Sequence, residues 1–155
     1  RQRMEEIIMD RCELAFQYRK ERYNCAQAVA AAFADLLETT PEALFAAVSG
    51  FGGGVGGCHE EICGALSGGV YVLSRLYADP ADRAGHKTVY PKVQEFRRRF
   101  EETFGHIRCG QLRTAAPGAT EATPAAFRLG AHSHCDIMVV TAVEILEQML
   151  AEEAA

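Results

Sequence analysis

No run of eighteen apolar residues occurs in the 155-residue chain, so nothing in it is built to cross a bilayer as a helix. No basic stretch is interleaved with aromatics, and a net charge of −5 with a pI near 5.5 argues against a nucleic-acid surface. The one basic cluster, Arg97-Arg98-Arg99, falls inside a helical pattern and reads as a solvated face. Cys-x-x-Cys pairs are missing too, which removes the usual knuckle of structural zinc. No alternation of apolar and polar residues is long enough to propose a sheet, and an all-α fold is expected.

What is present supports a core. Hydrophobic residues make up 48% of the chain, enough for one globular domain over 1–155, read as a helical bundle of about five to six helices. Six cysteines in a chain with its own core suit metal or redox chemistry better than the disulfide framework of a short secreted protein. The cytoplasm is therefore the expected setting. The chain begins with Arg1, so a removed leader and a periplasmic location stay open.

Met4, Ile8, Cys12, Ala15 and Phe16 form a helical stripe over residues 2–20, with Cys12 read as a buried small hydrophobe. Asn24 caps a second helix to about Leu37, turning Ala28, Val29, Ala32, Phe33 and Leu36 inward. Thr40-Pro41-Glu42 opens a short helix to about Val48. Then comes Gly50-Phe51-Gly52-Gly53-Gly54-Val55-Gly56-Gly57-Cys58, whose six glycines let the backbone turn sharply and aim amides at an anionic group. The central helix is expected from Glu60 to Tyr77, with Glu60 and Glu61 as an acidic first turn. Gly68-Gly69 in its interior cost stability unless a backbone or a cofactor packs there. Pro91 restarts a helix lined by Val93, Phe96, Phe100 and Phe104 and stopped by Gly105. Residues 113–131, rich in Ala, Pro, Thr and Gly, read as a surface loop. Ser133 caps a last helix with Cys135, Val139, Val143, Leu146 and Leu150 inward, and Thr141, Glu144, Glu147 and Gln148 facing away.

Cys25, Cys63, Cys109 and Cys135 share one setting, each at or within a turn of an expected helix start. Four converging helix ends would gather four sulfurs in a field that favours thiolates. Gaps of 38, 46 and 26 residues suit a cofactor assembled from distant helices, and four thiolates satisfy the count for an iron–sulfur cluster. The same environment would activate a dithiol, so a thiol–disulfide oxidoreductase using Cys58 and Cys63, or two of the four, is the alternative. Structural disulfides or zinc are the blander third. Gly52-x-Gly54-x-x-Gly57 matches a dinucleotide fingerprint in letters only, since no strand precedes it. His59, His132 and His134 sit near candidate ligands, where they could replace a cysteine, tune a potential or carry a coupled proton, but read first as exposed loop histidines, and Tyr23 and Phe51 as packing that excludes water.

Five stretches carry a resemblance: Tyr23-Asn24-Cys25-Ala26-Gln27-Ala28-Val29; Phe51-Gly52-Gly53-Gly54; Cys63-Gly64-Ala65-x-x-Gly68; Phe104-Gly105-x-x-x-Cys109-x-x-Leu112; and Cys135 opening the last helix. Together they resemble the C_GCAxxG_C_C family of small redox-active proteins, across residues 12–150. The resemblance implies an all-α fold with Cys25, Cys63, Cys109 and Cys135 as its hallmark. It extends to a domain of split-Soret cytochrome c in which a [2Fe–2S]-type centre is assigned to such cysteines. It thereby implies a [2Fe–2S] cluster on these four residues, single-electron transfer, and a redox partner protein. Cys-x-x-Cys-His is absent, so haem attachment does not carry over. Cys58 is extra to the pattern and stands as an alternative ligand, a disulfide partner or a bystander. A homodimer is left open.

Overall fold

The computed structural model describes residues 10–114 and 123–155, so Met4 and Ile8 of the first stripe lie outside the described residues. Asp10 accepts a hydrogen bond from the Cys12 amide and caps α1, Arg11–Lys20. Asn24 and Gln27 form a reciprocal capping box at the start of α2, Cys25–Ala31. Thr40 caps α3, Pro41–Ala47, and a 3-10 turn over Ser49–Phe51 leads into the glycine loop. The central helix α4 covers Gly64–Tyr77, and α5 covers His86–Phe104, closed by left-handed Gly105. A single turn, α6 at Cys109–Arg113, precedes α7 at Pro124–Leu129, and α8 runs over His134–Ala154 from its Ser133 cap. Eight α-helices stand among the described residues. The all-α expectation holds, and the excess over five to six comes from short helices.

α4 packs on α2, α5 and α8, and α8 also packs on α1. Phe33, Phe96, Phe100, Phe104, Leu66, Leu73, Met138 and Leu146 are fully buried between them. Gly68 and Gly69 repay their helical cost through close packing of protein against protein, not of a cofactor. A Cβ on Gly68 would stand 2.7 Å from the Ala26 carbonyl oxygen, and one on Gly69 2.3 Å from the Phe96 ring.

Several boundaries differ from expectation for local reasons. α4 begins at Gly64 rather than Glu60, because residues 61–63 pair with 107–109. The Cys63 amide donates to the Ile107 carbonyl at 2.8 Å and the Cys109 amide to the Glu61 carbonyl at 2.9 Å, a one-bridge antiparallel contact centred on Ile62 and Arg108. α2 stops at Ala31, but the chain winds on through tighter turns that bury Ala32, Phe33 and Leu37 and leave Leu36 43% exposed. Pro91 lies inside α5, after a first turn tightened by Lys87 and Thr88 amides donating to the carbonyls of Ala84 and Gly85. Within the stretch expected to be a surface loop, Ala125 and Ala126 of α7 are buried on α8. That packing reverses the expectation for Thr141, which is 1% exposed and hydrogen-bonded to Thr123 at 2.7 Å, while Glu144 accepts from the Ala125 amide.

Candidate functional site

Each motif cysteine is delivered by a different local device. Asn24 Oδ1 accepts from the Gln27 amide, Gln27 Oε1 from the Asn24 amide, and their side-chain amides donate to the Ser49 and Phe45 carbonyls. This lattice fixes Cys25 as the first residue of α2 and ties it to the approach of the glycine loop. Gly52 must be glycine for that contact, since a Cβ there would fall 2.3 Å from the Asn24 side chain. The bridge of residues 61–63 with 107–109 then sets Cys63 and Cys109 on neighbouring strands of chain. Ser133 caps α8 by accepting from the Asp136 amide, and Cys135 rides in that first turn.

The glycine loop is a left-handed turn. Gly53, Gly54, Val55, Gly56 and Gly57 all have φ between 61° and 72°. Four of the five are glycine, the residue that holds such angles without penalty. Gly54 also gives room to the site, because a Cβ on it would stand 2.6 Å from the Cys109 Cβ. Six amides in and just after the loop are turned to the loop's own carbonyls: those of Val55, Gly56, Gly57, Cys58, His59 and Glu61 donate to carbonyls of residues 50–55. At the start of α4 the Ala65 and Leu66 amides pull the Cys63 thiol pKa down.

Cys25, Cys63, Cys109 and Cys135 all line one cavity of about 270 Å³, with Arg19, Arg113, His59 and Met138 completing the parts of its wall that bear on chemistry. All four are free thiols. Cys25, Cys63 and Cys109 are 8%, 4% and 7% exposed, and Cys135 is half-buried. Among the described residues the one set of three donors whose atoms all lie within 4.8 Å of one another is Asp10, Cys12 and Glu147. The cavity sulfurs therefore share a chamber without closing into a triad that tight.

Burial outweighs the field of the helix ends. Desolvation pushes the Cys63 thiol up to about 11 against the pull of the two amides, and it pushes Cys109 up as well. Cys25 is raised first by its neighbour Cys135, with desolvation adding to it. Cys135 is lowered to about 6, first by Cys25 and then by Arg19 and Arg113. The pull toward thiolate expected at a helix start is thus present at Cys63 but outweighed by desolvation. α2 and α6 are only 7 and 5 residues long, too short for strong end charges.

Arg19 is the residue that sequence reading missed. Its Nε donates to Asp136 at 2.9 Å and its Nη1 to the Tyr23 carbonyl at 2.9 Å, so one guanidinium braces the residues beside both Cys25 and Cys135. A cation in the last turn of a helix four residues before the Tyr23-Asn24-Cys25 motif was the available signal. His59 lines the cavity with Nδ1 3.5 Å from the Cys109 sulfur, while His132 and His134 do not line it. Tyr23 stacks on Phe45 with ring centroids 3.7 Å apart, the packing role expected of it, whereas Phe51 is 43% exposed. Cys58 is exposed, donates to the Gly54 carbonyl at 3.0 Å and lies outside the cavity lining. Cys12 is 4% exposed with its sulfur 3.7 Å from the Val140 carbonyl, as a small hydrophobe would be. Its neighbour Asp10 is already engaged as helix cap and as partner of Arg128 at 2.5 Å, so the Asp10, Cys12 and Glu147 group is a capped helix start rather than an open ligand set.

A family model described as "Putative redox-active protein (C_GCAxxG_C_C)" matches residues 23–149. No curated protein and no solved structure matches the chain. Among the described residues no helix is long and apolar enough to cross a membrane.

Proposed function

The chain belongs to the C_GCAxxG_C_C family, and on that premise we propose that it is an iron–sulfur protein in which Cys25, Cys63, Cys109 and Cys135 hold a [2Fe–2S] cluster for single-electron transfer to a partner protein. The observation that carries this reading is the convergence of four thiols, distant in sequence, on one largely buried cavity. Their spacing supports an extended group over a single ion. Four sulfurs around one tetrahedral zinc would all stand about 3.8 Å apart, given a metal–sulfur distance of ~2.3 Å, and no three of these sulfurs fall within 4.8 Å. When bound, the cluster would supply a one-electron couple. The chain's own part is electrostatic: the Ala65 and Leu66 amides at Cys63, with Arg19 and Arg113 in the wall, stabilise added negative charge and raise the potential.

Anaerobic purification followed by iron and acid-labile sulfide analysis and a visible spectrum tests the reading. Two iron and two sulfide per chain are expected. Colourless protein without either, and without uptake on reconstitution, would end it.

A second reading rests on a separate observation, that Cys25 and Cys135 line the same cavity beside Arg19 and Arg113, with Cys135 lowered to about 6 by Cys25 and those two cations. That is how a dithiol poised for exchange is arranged. It names a different pair from Cys58 and Cys63, which no disulfide links. In this chemistry the Cys135 thiolate attacks a substrate disulfide and releases one thiolate. Cys25 then displaces the second, leaving a Cys25–Cys135 disulfide and two substrate thiols. Mass spectrometry showing a gain of two hydrogens on reduction of a metal-free chain would favour it.

A further inference from the structure

Position 59 is built for glycine and holds histidine. Its φ is +64°, in the left-handed region that penalises a side chain. The backbone around it is strapped: the His59 amide donates to the Gly53 carbonyl at 2.8 Å. Neighbouring residues are pared away to admit it, since a Cβ on Gly110 would stand 2.6 Å from the His59 carbonyl oxygen and one on Gly54 3.1 Å from the His59 Cα. Strain kept at a fixed place needs a contact that it serves. Among the described residues, the imidazole's one side-chain partner within hydrogen-bond range is the Cys109 sulfur, 3.5 Å from Nδ1. His59, itself exposed, lines two spaces, the thiol cavity and an outer groove of about 480 Å³ lined also by Glu60, Glu61, Arg108 and Gln111.

We propose that His59 is a positioning residue for Cys109, and through it for the bound group: the imidazole holds the Cys109 sulfur by a hydrogen bond and closes the thiol cavity against the outer polar groove. The proposal rests on the reading of the four cysteines as cluster ligands, and it deepens that reading by assigning one of them, Cys109, a positioning partner. With sulfur bound as thiolate, the Nδ1 hydrogen points at it and stabilises added negative charge. With the ring in place, the outer groove can be wet while the cavity stays dry. Every loop glycine that makes room for His59 then serves Cys109 as well.

The test compares wild type with His59→Gly, which relieves the backbone, His59→Leu, which keeps bulk without a donor, and His59→Gln, which restores an amide donor. In the loaded protein we expect His59→Gly and His59→Leu to lower the midpoint potential, and His59→Gln to recover part of it. Iron removal by bathophenanthroline disulfonate should run about tenfold faster in His59→Gly, with His59→Leu nearer wild type because bulk still blocks the groove. Thermal stability of His59→Gly should equal or exceed wild type, which separates this role from a scaffolding one. In metal-free protein, N-ethylmaleimide labelling of Cys109 should be faster in His59→Gly, with rates at Cys25 and Cys63 unchanged. Wild-type potential, iron loss and Cys109 labelling in His59→Gly would overturn the proposal and leave His59 a strained loop residue. If no form takes up iron, the four-cysteine reading fails by itself, and the labelling comparison alone decides for or against His59.

Discussion

The two ends of α8 meet their surroundings in opposite ways. In its first turn Cys135 lines one cavity with buried Cys25 and with a guanidinium that is itself braced by two hydrogen bonds. Seventeen residues later, about 26 Å along the axis, Glu152 meets Arg99 at 2.6 Å in open solvent, beside Glu95, Arg98 and Glu102 of α5. At the first end few polar groups act, each at least partly buried and each with a defined partner. At the second there are many, screened and interchangeable. Placement by backbone and burial makes a group hard to replace, whereas a network of exposed ion pairs spreads its contribution thinly.

Substitutions should expose that contrast, most strongly where helix meets helix beneath the cysteines. Helix propensity alone would have Gly68→Ala stabilise by about 1 kcal/mol. The Ala26 carbonyl 2.7 Å from the new methyl should instead make it destabilising, by about 2 kcal/mol net. Urea titration reads the sign. Arg19→Gln comes next, with a loss of about 1 kcal/mol from its two partly buried hydrogen bonds and slower labelling of Cys135, whose thiolate loses a nearby cation. Titration should then separate the thiols of the metal-free protein. Cys135 labelling should fall as pH drops through about 6, where its sulfur takes up a proton, while Cys63 stays protonated until about 11.

The smallest effects belong to the far end. Tyr77 donates to Glu153, and burial together with that bond raises its pKa to about 12. A raised acid favours folding below its ordinary value of 10, and the benefit is lost as pH climbs from there through 12. Tyr77→Phe should lack that alkaline step in denaturation curves. Glu95, lowered to about 2 by Arg98 and Arg99, acts in the opposite direction. Its contribution is present above about 4.5 and fades as pH falls through 2, and 1 M salt should erase most of it. A large salt-resistant effect of Glu152→Gln would break the contrast between the two ends.

Much of this was legible in the chain. Asn24, Thr40 and Ser133 announce their helices, and the four cysteines could be placed at helix starts because caps and breaks are local in sequence. What stayed hidden is non-local. Nothing in residues 60–63 signals pairing with 107–109, so Glu60 and Glu61 looked like a first turn when they belong to the approach to a bridge. Arg19 went unassigned because its partners, the Tyr23 carbonyl and Asp136, come together only once α1 and α8 pack. The thiol energetics were hidden for the same reason: proximity to a helix start can be read from letters, but the desolvation that overrides it cannot.

The turn at residues 53–57 has a consequence of handedness. Because its five φ values are all positive, this is a piece of backbone that a mirror-image chain would find natural. A semisynthetic protein with D-alanine at Gly56 or Gly57 should fold with the loop stiffened, whereas L-alanine at either place should loosen it. The chain's apparent surplus of its smallest residue is, at this spot, a substitute for the opposite stereoisomer.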